Sequence, residues 1–313
     1  MKTNQSEEDR LLGEINMSNN ETGFIKFLTL LLVLGLISGF TGCETSTHLN
    51  FNQAEHDEII GGKNVKISSQ FSKKVIYLSL GVERTKTNSG TSLKTQGLCS
   101  ASAISKRILL TAAHCVDKWE PSEVNAVLSL NPFKKGSFNE KDWIKVEKIK
   151  IHENYRTTPT VENDFALIRL AKDLDDDRIS KLATSDQTYE NMELVTIGYG
   201  RTQVSGSDRS SESAESILYY LLKPFEFFEI NDPTIIINQT DETGICSGDS
   251  GSPGFIFNKK TKEFIILGVA SYVTHPENTS TESNVAEPCH GYGIYMNVLT
   301  HREWITKNAI GLN

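Results

Sequence analysis

Positive charge is in short supply in this 313-residue chain: 32 Lys and Arg stand against 40 Asp and Glu, for a net charge of −8 with His neutral. A nucleic-acid surface needs a basic face to displace counterions, so nucleic acid is excluded as the main partner. Long apolar runs are scarce too. "FLTLLLVLGLISGF" at 27–40 has 14 residues, where a membrane-crossing helix takes about 20. There is no internal repeat, no long low-complexity tract, and no Walker loop, HExxH, EF-hand or zinc-knuckle pattern, so no motif points to a nucleotide, calcium or zinc site and neither metal nor cofactor is expected. Cysteine is limited to Cys43, Cys99, Cys115, Cys246 and Cys289, an odd number.

What is present begins with that apolar run. Fourteen residues behind Lys26 suit the core of a secretory signal. "FTGC" follows it and is similar to a bacterial lipoprotein signal, in which the chain is cut before a cysteine that then carries lipid; this reading makes Cys43 a membrane tether. The competing reading is a plain signal peptide with an incidental cysteine, and Phe40 stands where lipoprotein signals prefer Leu. The acidic leader before Met17 is unusual for a signal, and a start at Met17 leaves 26 residues before Cys43. With Cys43 set aside, four cysteines remain, enough for two disulfides in an oxidising compartment.

Residues 44–58 are polar and acidic and read as a propeptide or tether. From Ile59 the texture changes to short β-rich runs, "KVIYLSL", "RILLTAA", "AVLSL", "FALIRL", "LVTIGYG", "FIILGVASY" and "GYGIYMNV", separated by polar loops. Many short strands with turns between them predict an all-β sandwich or barrel. The segments 201–216 and 274–288 read as long solvated loops. In "VLTHREWITKNAIGL" the spacing of Val298, Leu299, Trp304, Ile305 and Ile310 predicts a short terminal helix.

The densest signal is "GICSGDSGSPGF" at 244–255, with four glycines and three serines around one aspartate; "INQTDET" before it and "IFNKKTKEF" after it read as ordinary. A serine hydroxyl becomes a nucleophile only with a base to take its proton and donors to hold the oxyanion. Glycines let backbone N–H groups approach a substrate. In "GDSG" the N–H groups of Gly248 and Ser250 can converge, which makes Ser250 the candidate nucleophile. A Gly/Ser-rich turn is more often only a turn, a lone His more often structural, and an Asp before an apolar run more often a strand marker. However, "LLTAAHC" places His114 at the end of one apolar run and "ENDFALIRL" places Asp164 at the mouth of another. His, Asp and Ser in that order are a much rarer coincidence.

Together with "IIGG" at 59–62, "CSASAISKRILLTAAHC" at 99–115, "GYG" at 198–200 and "CSGDSGSP" at 246–253, these segments resemble the trypsin/chymotrypsin-like serine proteases from residue 59 to about 310. The resemblance implies two Greek-key six-stranded β-barrels packed together, about 59–180 and 181–313, with a short C-terminal helix. It implies an endopeptidase acting on polypeptides, in which Ser250 attacks, His114 is base and then acid, Asp164 orients His114, and the Gly248 and Ser250 amides form the oxyanion hole. It implies disulfides Cys99–Cys115 and Cys246–Cys289. His152, His48, His56 and His301 are left as surface or structural residues.

The resemblance also places Gly244, Ile245, Ser271, Tyr272, Val273 and Gly293 around the pocket for the substrate side chain. Trypsins carry an acidic residue where this chain has Gly244, so a preference for Arg or Lys is not expected, and small or medium apolar side chains are. His290 near this wall offers an acidic preference as the alternative. Ser252 replaces a usual glycine, a change expected to be tolerated. Family logic further implies a zymogen cut between Glu58 and Ile59 by an activating protease, the new Ile59 amine pairing with Asp249; the bland alternative is that "IIGG" only starts a strand. A catalytically silent binding or regulatory protein on the same scaffold remains the competing function.

Overall fold

Continuous apolar runs in this chain become strands buried on both sides, because each inner face packs a barrel interior and parts of the outer faces meet the other barrel. The computed structural model describes residues 62–312 except 67–68, 70, 88–89, 131, 133–139, 186–188, 190–192, 201–217, 242, 259–260, 262 and 275–288. After β1 (Lys63–Asn64) come β2 (Ile76–Leu80), the hairpin β3 (Glu83–Thr87) and β4 (Gly90–Lys94), β5 (Gly97–Ala103), β6 (Ile108–Thr111), β7 (Val124–Val127), β8 (Trp143–Ile151) and β9 (Ala166–Leu170). In the order β2-β5-β6-β9-β8-β7 these close into a six-stranded antiparallel barrel. Every residue of β2, β6 and β7 is buried.

The second half adds β10 (Lys181–Leu182), β11 (Glu193–Gly198), β12 (Tyr219–Phe228), β13 (Thr234–Asn238), β14 (Pro253–Asn258), β15 (Glu263–Thr274), β16 (Tyr292–Asn297) and the helix α1 (Val298–Leu312). The order β12-β11-β14-β15-β16-β13 is closed by the pairing of β13 with β12, giving a second six-stranded antiparallel ring. β1 joins β12 antiparallel and β10 joins β15 in parallel, so two short segments of chain from outside the ring extend it. The architecture is therefore two six-stranded barrels and a C-terminal helix. Closure leaves few unpaired strand edges, which is the physical advantage of this all-β design.

The helix α1 buries Val298, His301 and Ile305 along one stripe. Ile310 is 76% exposed, contrary to its place in the apolar spacing. Five residues past Ile305 at about 100° each, it points roughly 140° away from that stripe. Arg302 donates to the carbonyls of Leu182 (3.2 Å) and Ala183 (2.8 Å), and Arg169 of the first barrel donates to the Leu312 carbonyl (2.9 Å). The terminal helix thus fastens both halves, and its buried His301 reaches the loop before β9.

Candidate active site

β6 ends at Thr111, and one 3₁₀ turn, Ala113–Cys115, follows it. That turn aims His114 out of the barrel end, leaving its side chain 34% exposed, against 0% for Asp164. The Asp164 carboxylate receives the His114 backbone N–H at 2.9 Å on Oδ1 and lies 2.7 Å from the ring Nδ1 through Oδ2. The hydroxyl of Ser271 donates to the same Oδ2. Burial pushes the Asp164 carboxyl up, but the hydrogen bonds from His114 and Ser271 outweigh it and hold the group below the usual carboxylate range. An ionised Asp164 can only accept, so Nδ1 carries a proton, and in the neutral imidazole the lone pair is then on Nε2.

Asn163 precedes Asp164 with φ of +51°, an uncommon conformation for a non-glycine residue. Both ends of its side chain are held. Its amide donates to the Asn154 carbonyl (3.0 Å), and His301 Nε2 donates to its Oδ1 (3.0 Å). His152 packs on His301 and Trp304. Read from the sequence as surface or structural, His152 and His301 are both buried, at 9% and 8% exposure. They line the back of the loop that presents Asp164.

The serine loop comes from the second barrel and is pinned to the first. Ser100 N–H on β5 donates to the Ser250 carbonyl (2.8 Å), and Gly251 N–H donates to Ala270 on β15 (2.8 Å). Gly251 has φ of +79°, and a Cβ there would lie 2.1 Å from Thr111 Oγ1 and 2.3 Å from the Ser100 carbonyl, so only glycine fits between the barrels. The N–H groups of Gly248 and Ser250 find no hydrogen-bond partner among the described residues. The Ser250 hydroxyl makes no hydrogen bond to His114 in this structure. Ser252 is buried, its hydroxyl unpartnered.

Asp249 is fully buried. Its carboxylate accepts from Gly200 N–H (2.7 Å) and Cys246 N–H (2.8 Å). The glycines of "GYG" make its space: a Cβ at Gly198 or Gly200 would lie 2.1 or 2.3 Å from a carboxylate oxygen. Burial pushes the Asp249 carboxyl up to about 7, and the two backbone donors only partly offset this.

Disulfides join Cys99 to Cys115 and Cys246 to Cys289, with Cα separations of 6.1 and 5.1 Å. Cys99, His114 and Cys115 lie within metal-ligand reach of one another. Both sulfurs are committed to the disulfide, and a metal needs the thiolate. Of the residues assigned to the substrate pocket, Val273 stands opposite Gly293 across β15 and β16. The Ser271 hydroxyl is turned to Asp164, a bond with no trace in the sequence pattern. Gly244 and Gly293 face each other across the side chain of Gln239, which lies in the stretch that read as ordinary. Lys223, buried in β12, binds Asp241 (2.7 and 2.8 Å) and Thr243 (2.7 Å) and so anchors the turn leading to Gly244. Cys43, His48, His56, Glu58 and Ile59 lie outside the described residues, as do 201–217 and 275–288 from the two long loops.

The family model for trypsin matches residues 79–305. The chain belongs to the trypsin family. Among curated relatives it is 28% identical to "Serine protease SSP1" of Scolopendra subspinipes, over 68% of this chain and 73% of that one. It is 27% identical to "Chymotrypsin-2" of Vespa crabro, over 66% and 88%, and 27% identical to "Phenoloxidase-activating factor 3" of Holotrichia diomphalia, over 73% and 67%. These relatives are animal proteins, and nothing in them supports the bacterial lipoprotein form that "FTGC" suggested. A disulfide-bonded trypsin-family protease fits an extracellular setting.

Proposed function

We propose that this chain is an active, exported serine endopeptidase. The observation that carries the reading is the His114–Asp164 contact, in which a buried, ionised carboxylate fixes Nδ1 as the protonated nitrogen and leaves Nε2 as the base. In the proposed reaction Ser250 Oγ adds to the scissile carbonyl while its proton passes to His114 Nε2. Asp164 stabilises the resulting imidazolium. The uncommitted N–H groups of Gly248 and Ser250 receive the oxyanion, each such donor contributing about 3–4 kcal/mol to the transition state. His114 then returns the proton to the leaving amine, and water hydrolyses the acyl-Ser250 ester by the same steps in reverse.

The pocket reading supports a small or medium apolar side chain before the cut bond. Gly244 supplies no carboxylate, and a buried Arg or Lys head without a partner is strongly disfavoured. Export stands on the apolar run at 27–40, and activation is assigned to a cut at Glu58–Ile59 by a separate protease accepting Glu. A lipid on Cys43 stands on the short apolar run ending in "FTGC" and on the odd cysteine count; intact mass of the processed N-terminus with detergent phase partitioning decides it, and an aqueous chain without acyl mass removes it.

Titration with a fluorophosphonate probe tests the central reading. One label per chain is expected on Ser250, and Ser250→Ala should lose both labelling and peptide hydrolysis while keeping its thermal transition. A folded, processed chain that takes no label and cleaves no peptide would instead be a binding protein on a protease scaffold.

A further inference from the structure

Gln239 follows β13 and is completely buried. Its backbone N–H donates to the Gly291 carbonyl at 2.7 Å, which fixes where the side chain starts. The side-chain amide then uses both of its donors and one of its acceptor positions. Nε2 donates to the Ile245 carbonyl (2.9 Å) and the Cys289 carbonyl (2.9 Å), and Oε1 accepts from Ile245 N–H (3.1 Å). These partners sit on the two strands of chain that the Cys246–Cys289 disulfide joins.

The volume taken by this side chain lies between Gly244 and Gly293. A Cβ at Gly244 would meet Gln239 Cδ at 2.3 Å, and one at Gly293 would meet Gln239 Oε1 at 2.1 Å. The two glycines that would make a deep, open pocket are therefore backed against one another by an amide. The Gln239 side chain has no exposed surface, so the space between these two glycines is filled by the amide rather than open to water.

We infer that Gln239 truncates the primary specificity pocket, and that the chain accepts only the smallest side chains, Gly, Ala or Ser, before the cut bond. This inference rests on the protease reading above and narrows it. Gln239 acts by volume rather than charge, since its donors are satisfied by backbone carbonyls. A side chain of Leu or Phe size has to displace Gln239 and break three hydrogen bonds of a buried amide, which is costly in a dry site. Even one methylene too many in a fitted pocket changes specificity by about 10–200-fold.

The test is a series of peptide anilides differing only in the residue before the cut, Gly, Ala, Val, Leu and Phe, run on the exported active chain. The expected kcat/KM is highest for Ala and falls at least about tenfold to Leu and further to Phe. A wild-type optimum at Leu or Phe overturns the inference without any variant. Gln239→Ala should raise the Leu-to-Ala ratio by about tenfold or more, whereas Gln239→Met, which keeps the volume but loses the three hydrogen bonds, should raise it clearly less. An unchanged ratio in a folded Gln239→Ala also overturns it. Fluorophosphonate labelling run alongside separates the two readings: a labelled Ser250 with a Leu optimum defeats the truncated pocket alone. Where no label is taken, calorimetric binding of product peptides ending in Ala or Leu reads the pocket without turnover, and tighter binding of the Leu peptide counts against Gln239.

Discussion

Ser271 and His114 converge on a single oxygen, Oδ2 of Asp164. The carboxylate is completely buried, so bulk water does not compete with either donor. Ser271→Ala removes one of the bonds that hold Asp164 ionised, and a hydrogen bond to a charged group contributes about 1.5–3 kcal/mol. We expect kcat/KM to fall by about ten- to a hundredfold with substrate binding little changed. Steady-state kinetics with stability measured in parallel will check this; wild-type activity in Ser271→Ala would show that His114 alone suffices.

Behind the same carboxylate, His301 and His152 bring acid sensitivity. Burial lowers both groups below the usual histidine range, and for His152 the neighbouring His301 adds to the effect. A folded-state value below the unfolded one means that the unfolded chain takes up protons first as the pH falls. The contribution of these two histidines to stability should therefore be full above about pH 6.5 and be lost as the pH drops below it. Thermal melts across pH 4.5–7.5 in the Asp249→Asn background, where the opposing carboxyl contribution is absent, should show this slope, and His301→Gln should flatten it. Because His301 also holds Asn163, His301→Leu should lower activity even at pH 8.

The two disulfides differ in what they close. By the chain-entropy model, a loop of 16 residues between Cys99 and Cys115 gives about 3 kcal/mol and one of 43 between Cys246 and Cys289 about 4 kcal/mol. Replacing Cys246 and Cys289 together by Ser should therefore lower stability more. It should also disturb substrate selection, since Gln239 bonds Ile245 and Cys289 on either side of that bridge. Denaturant unfolding and the anilide series measure the two effects separately.

The parts of this molecule that were legible in sequence are those where local chemistry and local conformation coincide. Gly251 and the "GYG" glycines stand where a Cβ would strike a neighbour, so the pattern itself carries the constraint. Runs such as "RILLT" and "FALIRL" are buried on both faces and announce β6 and β9 by composition alone. β8 does not, because Lys and Glu on its outer face interrupt the apolar residues. β12 is hidden similarly by Lys223 and Pro224. Ser271 and Gln239 were illegible as they act because their meaning comes from partners far along the chain: Asp164 is 107 residues from Ser271, and the Cys289 carbonyl is 50 from Gln239. A polar residue inside a strand or just past its end has no periodic signature that says which partner it meets.

The buried Asp249 yields the last prediction, which concerns the intact chain. Its folded-state value of about 7 lies well above the ordinary 3.8. A carboxyl raised in this way is protonated in the folded state and ionised in the unfolded state between about pH 4 and pH 7, so the folded chain binds more protons there. Stability must then fall as pH rises through that window, by up to about 4 kcal/mol. A cation delivered to the carboxylate would reverse this, since it favours the ionised form. The new amine at Ile59, produced by cutting after Glu58, is the cation that the activation proposal supplies. Uncut protein should therefore melt lower at pH 7.5 than at pH 5 after the opposing histidine contribution is removed in an Asp249→Asn comparison, and cut protein should lose that difference. N-terminal sequencing assigns each sample to its state, and an activity assay on the same samples reports whether the cut matters. Full activity in protein still intact across Glu58–Ile59, or unaltered activity in cut Asp249→Asn, would rule out the amine–carboxylate pair as the switch.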